Sequence, residues 1–189
     1  MASFLARVSS MAVLVFIMFL TSHQTLSKKF VNADEKLFRE LCSKAKDEGT
    51  CIQCVKGGKW SADVDAIGIA IILMDCANFH GACLVQNFTI LASQATDERV
   101  KNSLLECKAL MSAVQDFQSV KDSLYRQDYF DGYLGMSMYA QYGALCRSKH
   151  VIDELGPEKV PWQVFDGITV WVNLSEAALK IIEPYYQPS

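Results

Sequence analysis

Residues 97–117 read DERVKNSLLECKALMSAVQDF. Val100, Leu104, Cys107, Met111, Val114 and Phe117 recur there every three or four positions, the spacing that lines side chains along one face of an α-helix. Asp97, just ahead of the first apolar residue, supplies a helix start. A stripe of this kind is a buried face, and burying it requires other helices with stripes of their own.

Those helices lie on both sides. Upstream, Ser61 followed by Asp63 and Val64 marks a start, and Val64, Ile67, Ile71, Met74, Val85 and Phe88 keep the helical period to about Ser93. Gly68 and Gly81 weaken that helix locally and permit close packing. The run from Ile67 to Leu73 has the look of a strand, but its Ala, Gly and Met content and its flanking period favour helix. Downstream, the pattern breaks around Gln127. A third helix begins at Asp128 and carries Tyr133, Met136, Ala140, Tyr142, Gly143 and Cys146. Gly156-Pro157-Glu158-Lys159 is a loop. A fourth helix has Pro161 in its first turn and runs through Val164, Ile168, Trp171, Ala178 and Ile182 to Pro184. Four stripes joined by short turns are buried most simply in an antiparallel four-helix bundle.

Ahead of the bundle, Leu37, Phe38 and Leu41, then residues 51–55, form two short apolar pieces separated by Lys46-Asp47-Glu48-Gly49. Asp34 caps the first and Thr50 the second in this reading, which makes an α-helical hairpin ending at Gly57-Gly58. The chain opens with Arg7 and an apolar run from Met11 to Leu20, with small residues Thr25 and Ser27 after it. That is the pattern of a secretory signal peptide. The expected organisation is signal peptide 1–27, N-terminal extension and hairpin 28–58, and four-helix bundle 59–189: an all-α chain with no membrane span after cleavage.

Composition narrows the function. The net charge of -3 argues against a nucleic-acid binder, which needs a basic surface to displace counterions; Arg147-Ser148-Lys149-His150 is a short basic exit from a helix. Seven cysteines on an oxidising route imply disulfides. The odd thiol permits an intermolecular disulfide, with a buried free cysteine as the plainer reading. Cys51-Ile52-Gln53-Cys54 has dithiol-oxidoreductase and metal-site spacing but no strand-to-helix setting for redox chemistry. Cys76 and His80, four apart on one helix face, would need Cys54 or Cys83 to make a zinc site, and disulfides use the cysteines more economically. Neither His80 nor His150 has a nucleophile and acid arranged around it, and Asp128 with Asp131 is explained by helix capping. No catalytic, metal-ligating or cofactor-binding residue is assigned, and no cofactor is expected. The sequons Asn87-Phe88-Thr89 and Asn173-Leu174-Ser175 make Asn87 and Asn173 candidate glycosylation sites. Aromatic residues gather around the third helix, and Tyr129, Phe130 and Tyr133 are the candidate interface, because exposed rings anchor partners well.

Taken together, Leu41-Cys42 with Cys51 nine positions on, Leu105-Glu106-Cys107 after Asp97-Glu98, Leu124, Asp128-Tyr129, and Cys146 at the end of the third bundle helix resemble the plant invertase and pectin methylesterase inhibitor family. The resemblance covers the chain beyond the signal peptide. It implies Cys42–Cys51 and Cys107–Cys146 disulfides, and a helical hairpin appended to the bundle. It also implies a secreted, noncatalytic inhibitor in the cell wall or apoplast that occludes the substrate cleft of pectin methylesterase or acid invertase. The Pro-Lys-Phe segment associated with invertase recognition is absent before Cys107, which favours pectin methylesterase. The alternative is a noninhibitory extracellular binding or structural domain of the same fold.

Overall fold

The computed structural model describes residues 34–58, 64–114 and 117–186; the expected signal peptide and the helix start at Ser61 and Asp63 lie outside them. The helices from Lys36 onward belong to one compact unit, Lys36–Ser189.

Two short helices come first, α1 (Asp34–Cys42) and α2 (Glu48–Gly57). Asp34 is the first residue of α1. The cap of α2 is Asp47, where Thr50 was expected: the Thr50 amide and hydroxyl both donate to the Asp47 carboxylate, at 3.1 and 2.6 Å. Those bonds hold Asp47 below the ordinary 3.8. Aspartate is the better acceptor for the free amides of a first turn, and threonine here serves as donor.

The four long helices are α3 (Ala66–Gln94), α4 (Glu98–Ser112), α6 (Tyr129–Leu145) and α7 (Trp162–Ile182). Asp65, Asp97 and Asp128 cap the first three, each accepting a first-turn amide. α3 packs on α4 and α7, and α6 packs on α7. Paired positions fix directions: Gly81 faces Trp171 and Gly167 faces Leu84, so α3 and α7 run oppositely. Gly143 against Trp171 and Tyr129 against Tyr185 give the same for α6 and the end of α7. By length and composition alone α3 could cross a membrane. Here Ile69, Leu73, Met74, Ala77, Leu84 and Phe88 are buried on it, so its apolar length is core.

Trp171 is the centre of that core. A Cβ on Gly81 would lie 3.0 Å from its indole nitrogen, and a Cβ on Gly143 would run into the six-membered ring. Phe117 stacks on it with centroids 6.4 Å apart and meets Tyr139 edge-on at 5.3 Å, an arrangement aromatic quadrupoles favour. Phe38, Leu41, Cys42, Cys51 and Val55 of the hairpin belong to the same buried cluster. Lys46 pairs with Glu176 at 2.7 Å, and Lys180 donates to the Lys44 carbonyl at 2.9 Å, tying the α1–α2 turn to α7.

Other expectations are corrected as well. The stripe of residues 97–117 does not lie on one helix, because α4 stops at Ser112 and a short α5 (Gln118–Tyr125) follows. Val114 and Phe117 are still buried. The chain turns so that Val120 and Leu124 of α5 occupy the space over Gly135 and Gly132 of α6, where added Cβ atoms would come within 2.8 and 2.7 Å. Nor does the third bundle helix end at Cys146: it continues as a π-helix (Cys146–Leu155) that stops at Gly156, φ +83°. The wider π turn carries Cys146, His150, Val151 and Leu155 inward, so His150 is a buried residue rather than part of a solvated basic exit. The loop expected at 156–159 contains a 3₁₀ turn (Pro157–Lys159), and Pro161 stands just ahead of α7.

Candidate interaction surface

The start of α6 is covered by the chain that leaves α7. The Tyr129 ring lies 5.3 Å from that of Tyr185, Phe130 lies 5.4 Å from Tyr186, and Tyr133 stacks on Tyr186 at 4.7 Å with the planes 12° apart. The structure thus gathers the three expected interface residues with two aromatics that sequence reading left out. Tyr129 and Tyr133 are half-buried in this cluster, while Phe130 stays exposed.

From Phe130 an apolar row continues down the outer face of α6. Phe130, Leu134, Met138 and Leu145 are each between 41% and 49% exposed. Steps of four, four and seven residues keep them on one side of the helix. The opposite side carries Met136, Tyr139, Ala140 and Gly143, all buried. A helix apolar on every side belongs inside a protein, yet this one shows half of its circumference to water. Contiguous exposed apolar surface of this sort marks binding sites. Its signal was present in the sequence, but two apolar stripes on one helix do not declare which of them faces inward.

The cysteines make three bonds. Cys42 is joined to Cys51 with Cα atoms 5.6 Å apart, and Cys107 to Cys146 at 5.0 Å. Cys54 is joined to Cys76 at 5.9 Å, linking α2 to α3. Cys83 is the free cysteine and it is exposed, which corrects the expected buried thiol: its place on α3 falls on the face away from α4 and α7.

Between α2, α3 and α7 opens a groove of about 790 Å³, whose lining includes Gln53, Ile72, Asp75, Phe79, His80 and Asp166. Partial burial lowers the His80 pKa below the ordinary 6.5, opposed by the charge of Asp166. Asp75 is paired with Lys121 at 2.6 Å. Cys54 and Cys76 flank His80, but as a disulfide they offer no thiolates to a metal. Thr50 carries the one hydroxyl among the described lining residues, and it donates to Asp47.

Asn87 is exposed on α3, whereas Asn173 is half-buried on α7 beside a fully buried Ser175.

The sequence matches no protein-family model and no curated protein. Among solved structures, the chain is similar to a mutant form (form A) of a pectin methylesterase inhibitor from Arabidopsis, with a TM-score of 0.64 and 16% identity over 76% of this chain and 93% of that one. A second pectin methylesterase inhibitor, from Arabidopsis thaliana, gives a TM-score of 0.59 and 14% identity over 84% of this chain and all of that one. The chain therefore has the all-α fold of pectin methylesterase inhibitors. These neighbours are inhibitors rather than enzymes, and at such identities the likeness is one of fold.

Proposed function

We propose that this chain is a secreted protein inhibitor of a cell-wall carbohydrate enzyme, with pectin methylesterase preferred over acid invertase, acting by noncovalent occlusion of the substrate cleft. The observation that carries the reading is the fold shared with two pectin methylesterase inhibitors. The exposed row Phe130, Leu134, Met138 and Leu145 on α6 supports it by supplying a surface for a protein partner, with Phe130 held against Tyr186, which in turn stacks on Tyr133. A helix already fixed by α5, α7 and a disulfide loses little freedom on association, so contact area is not spent on ordering the binder. Three disulfides suit the oxidising route that the 1–27 leader implies, and the cell wall or apoplast is the proposed destination. A glycan belongs to the same proposal. Asn87 is the acceptor expected to carry it, since one on Asn173 would crowd a helix packed into the core.

The test is direct. The oxidised protein is added to a panel of plant pectin methylesterases and acid invertases at wall pH, and residual activity is measured alongside complex formation by size-exclusion chromatography. Inhibition of a pectin methylesterase, with a complex of defined stoichiometry, is the expected result. A folded protein that inhibits none of them removes the proposal in favour of a noninhibitory binding domain.

A further inference from the structure

His150 takes no part in the interaction surface, yet it is one of the most carefully enclosed polar residues in the chain, only 2% exposed. We propose that Glu106 of α4 together with His150 and Glu154 of the π-helix forms a site for a divalent cation of the zinc class, clamping the π-helix to α4 beside the Cys107–Cys146 bond.

The geometry centres on one ring nitrogen. His150 Nδ1 lies 3.0 Å from Oε2 of Glu154 and 3.2 Å from Oε2 of Glu106, and the three donor atoms lie within 4.8 Å of one another. Ligands that each sit about 2.0–2.2 Å from a zinc ion stand roughly 3.0–3.5 Å apart, so both separations from Nδ1 are those of donors sharing one ion. A ring proton serves the Glu154 contact as a hydrogen bond, but a single N–H has one direction and leaves the Glu106 oxygen at 3.2 Å to charge alone. Charge points the same way. Two carboxylate oxygens within 4.8 Å of one another repel, and a cation placed among them relieves the repulsion. A proton on the imidazole cancels one of the two negative charges and Lys149 acts on Glu154 from outside the cluster, whereas a divalent ion cancels both from within it.

The surroundings are those of a supported ligand set. The Ser103 hydroxyl donates to Glu154 Oε2 at 2.8 Å and fixes that carboxylate, as outer-shell partners of metal ligands do. The Glu106 side chain is 60% exposed, which gives an ion a way in and leaves room for water to complete its coordination. One imidazole nitrogen with two carboxylate oxygens selects zinc over magnesium and calcium, which prefer all-oxygen sets. The sequence hides the site because its members are 44 and four positions apart and come together only through the π turn.

The folded protein, with its disulfides intact and Cys83 alkylated to remove a competing thiol, is stripped with chelator and titrated with Zn²⁺ by calorimetry. The expected result is one saturable equivalent bound that millimolar Mg²⁺ or Ca²⁺ does not displace, together with a higher unfolding temperature. Glu106→Gln and Glu154→Gln should each weaken binding by roughly tenfold or more. Glu106→Gln, at the exposed ligand, should leave the metal-free unfolding temperature within about 2 °C of the parent. Absence of saturable binding in the parent, or parental affinity in either carboxylate variant, overturns the proposal.

Discussion

Helices α3 and α6 are both apolar around most of their circumference, and the molecule treats them differently. α3 is enclosed by α2, α4 and α7, and the large apolar side chains it leaves outside, Phe79 and Ile90, stand eleven positions apart with Cys83 and Asn87 between them. α6 is enclosed by α5 and α7 on one side only, and its outer side repeats an apolar residue at nearly every turn. Apolarity on α3 is thus explained by the fold. On α6 half of it is not, and that remainder is the surface proposed above for a partner.

The inner faces of the two helices meet on one side chain, so the largest effect is expected there. Trp171→Ala removes the ring against which Gly81 of α3 and Gly143 of α6 are closely packed. Truncating a buried tryptophan costs about 3–5 kcal/mol, and urea unfolding should show a loss of that size. A loss below about 1 kcal/mol would mean that the bundle collapses into the vacated space and that the two helices are not organised around the ring.

Each helix also has a covalent tie, α3 through Cys76 to Cys54 and the end of α6 through Cys146 to Cys107. The Cys107→Ser, Cys146→Ser double variant should lose about 2–5 kcal/mol, because the bridge closes a long loop in the unfolded chain. Thermal unfolding at fixed pH measures it. An unchanged midpoint would show that packing of the π-helix on α4 suffices without the staple.

How far the sequence discloses these features depends on which forces are local. Asp97 and Asp128 announce their helices because a cap acts within one turn, and the spacing of Val164, Ile168 and Trp171 fixes the inner face of α7 because burial keeps to the helical period. The break after Ser112 was not legible: Val114 and Phe117 keep both the period and the burial, and only the need to cover Gly132 and Gly135 with Leu124 and Val120 turns the chain. The π-helix was hidden for the same reason, since its register serves Cys107 and Glu106 on another helix. For the surface, Tyr129 and Phe130 were visible within a cluster of rings, but Tyr185 and Tyr186 reach them from the far end of the chain.

The outer face of α6 can be separated from the inner one by substitution. Phe130→Ser, Leu134→Ser and Met138→Ser combined should leave folding stability within about 1 kcal/mol of the parent, as exposed positions do. Affinity for an inhibited enzyme should drop by about 10–100-fold, the range for losing interface anchors. Phe79→Ser and Ile90→Ser on α3 make the matching control and should leave affinity unchanged. Equal losses from the two outer faces would erase the distinction between the helices.

The smallest effect concerns the polar side of α3. Burial holds the His80 pKa below 6.5 in the folded protein despite the opposing charge of Asp166, so between the folded value and 6.5 the unfolded chain binds more protons than the native one. Stability therefore rises with pH across that window: the contribution is fully present above pH 6.5 and is lost as pH falls through the folded pKa. The parent should accordingly lose more stability than His80→Gln when urea unfolding is compared on the two sides of that window, with the variant cancelling every other titrating group. Asp166→Asn should enlarge the loss, since it removes the charge that favours the imidazolium. Parallel pH profiles for parent and His80→Gln would show that the imidazole is as well solvated in the groove as in the unfolded chain, leaving α3 without a pH-sensitive side.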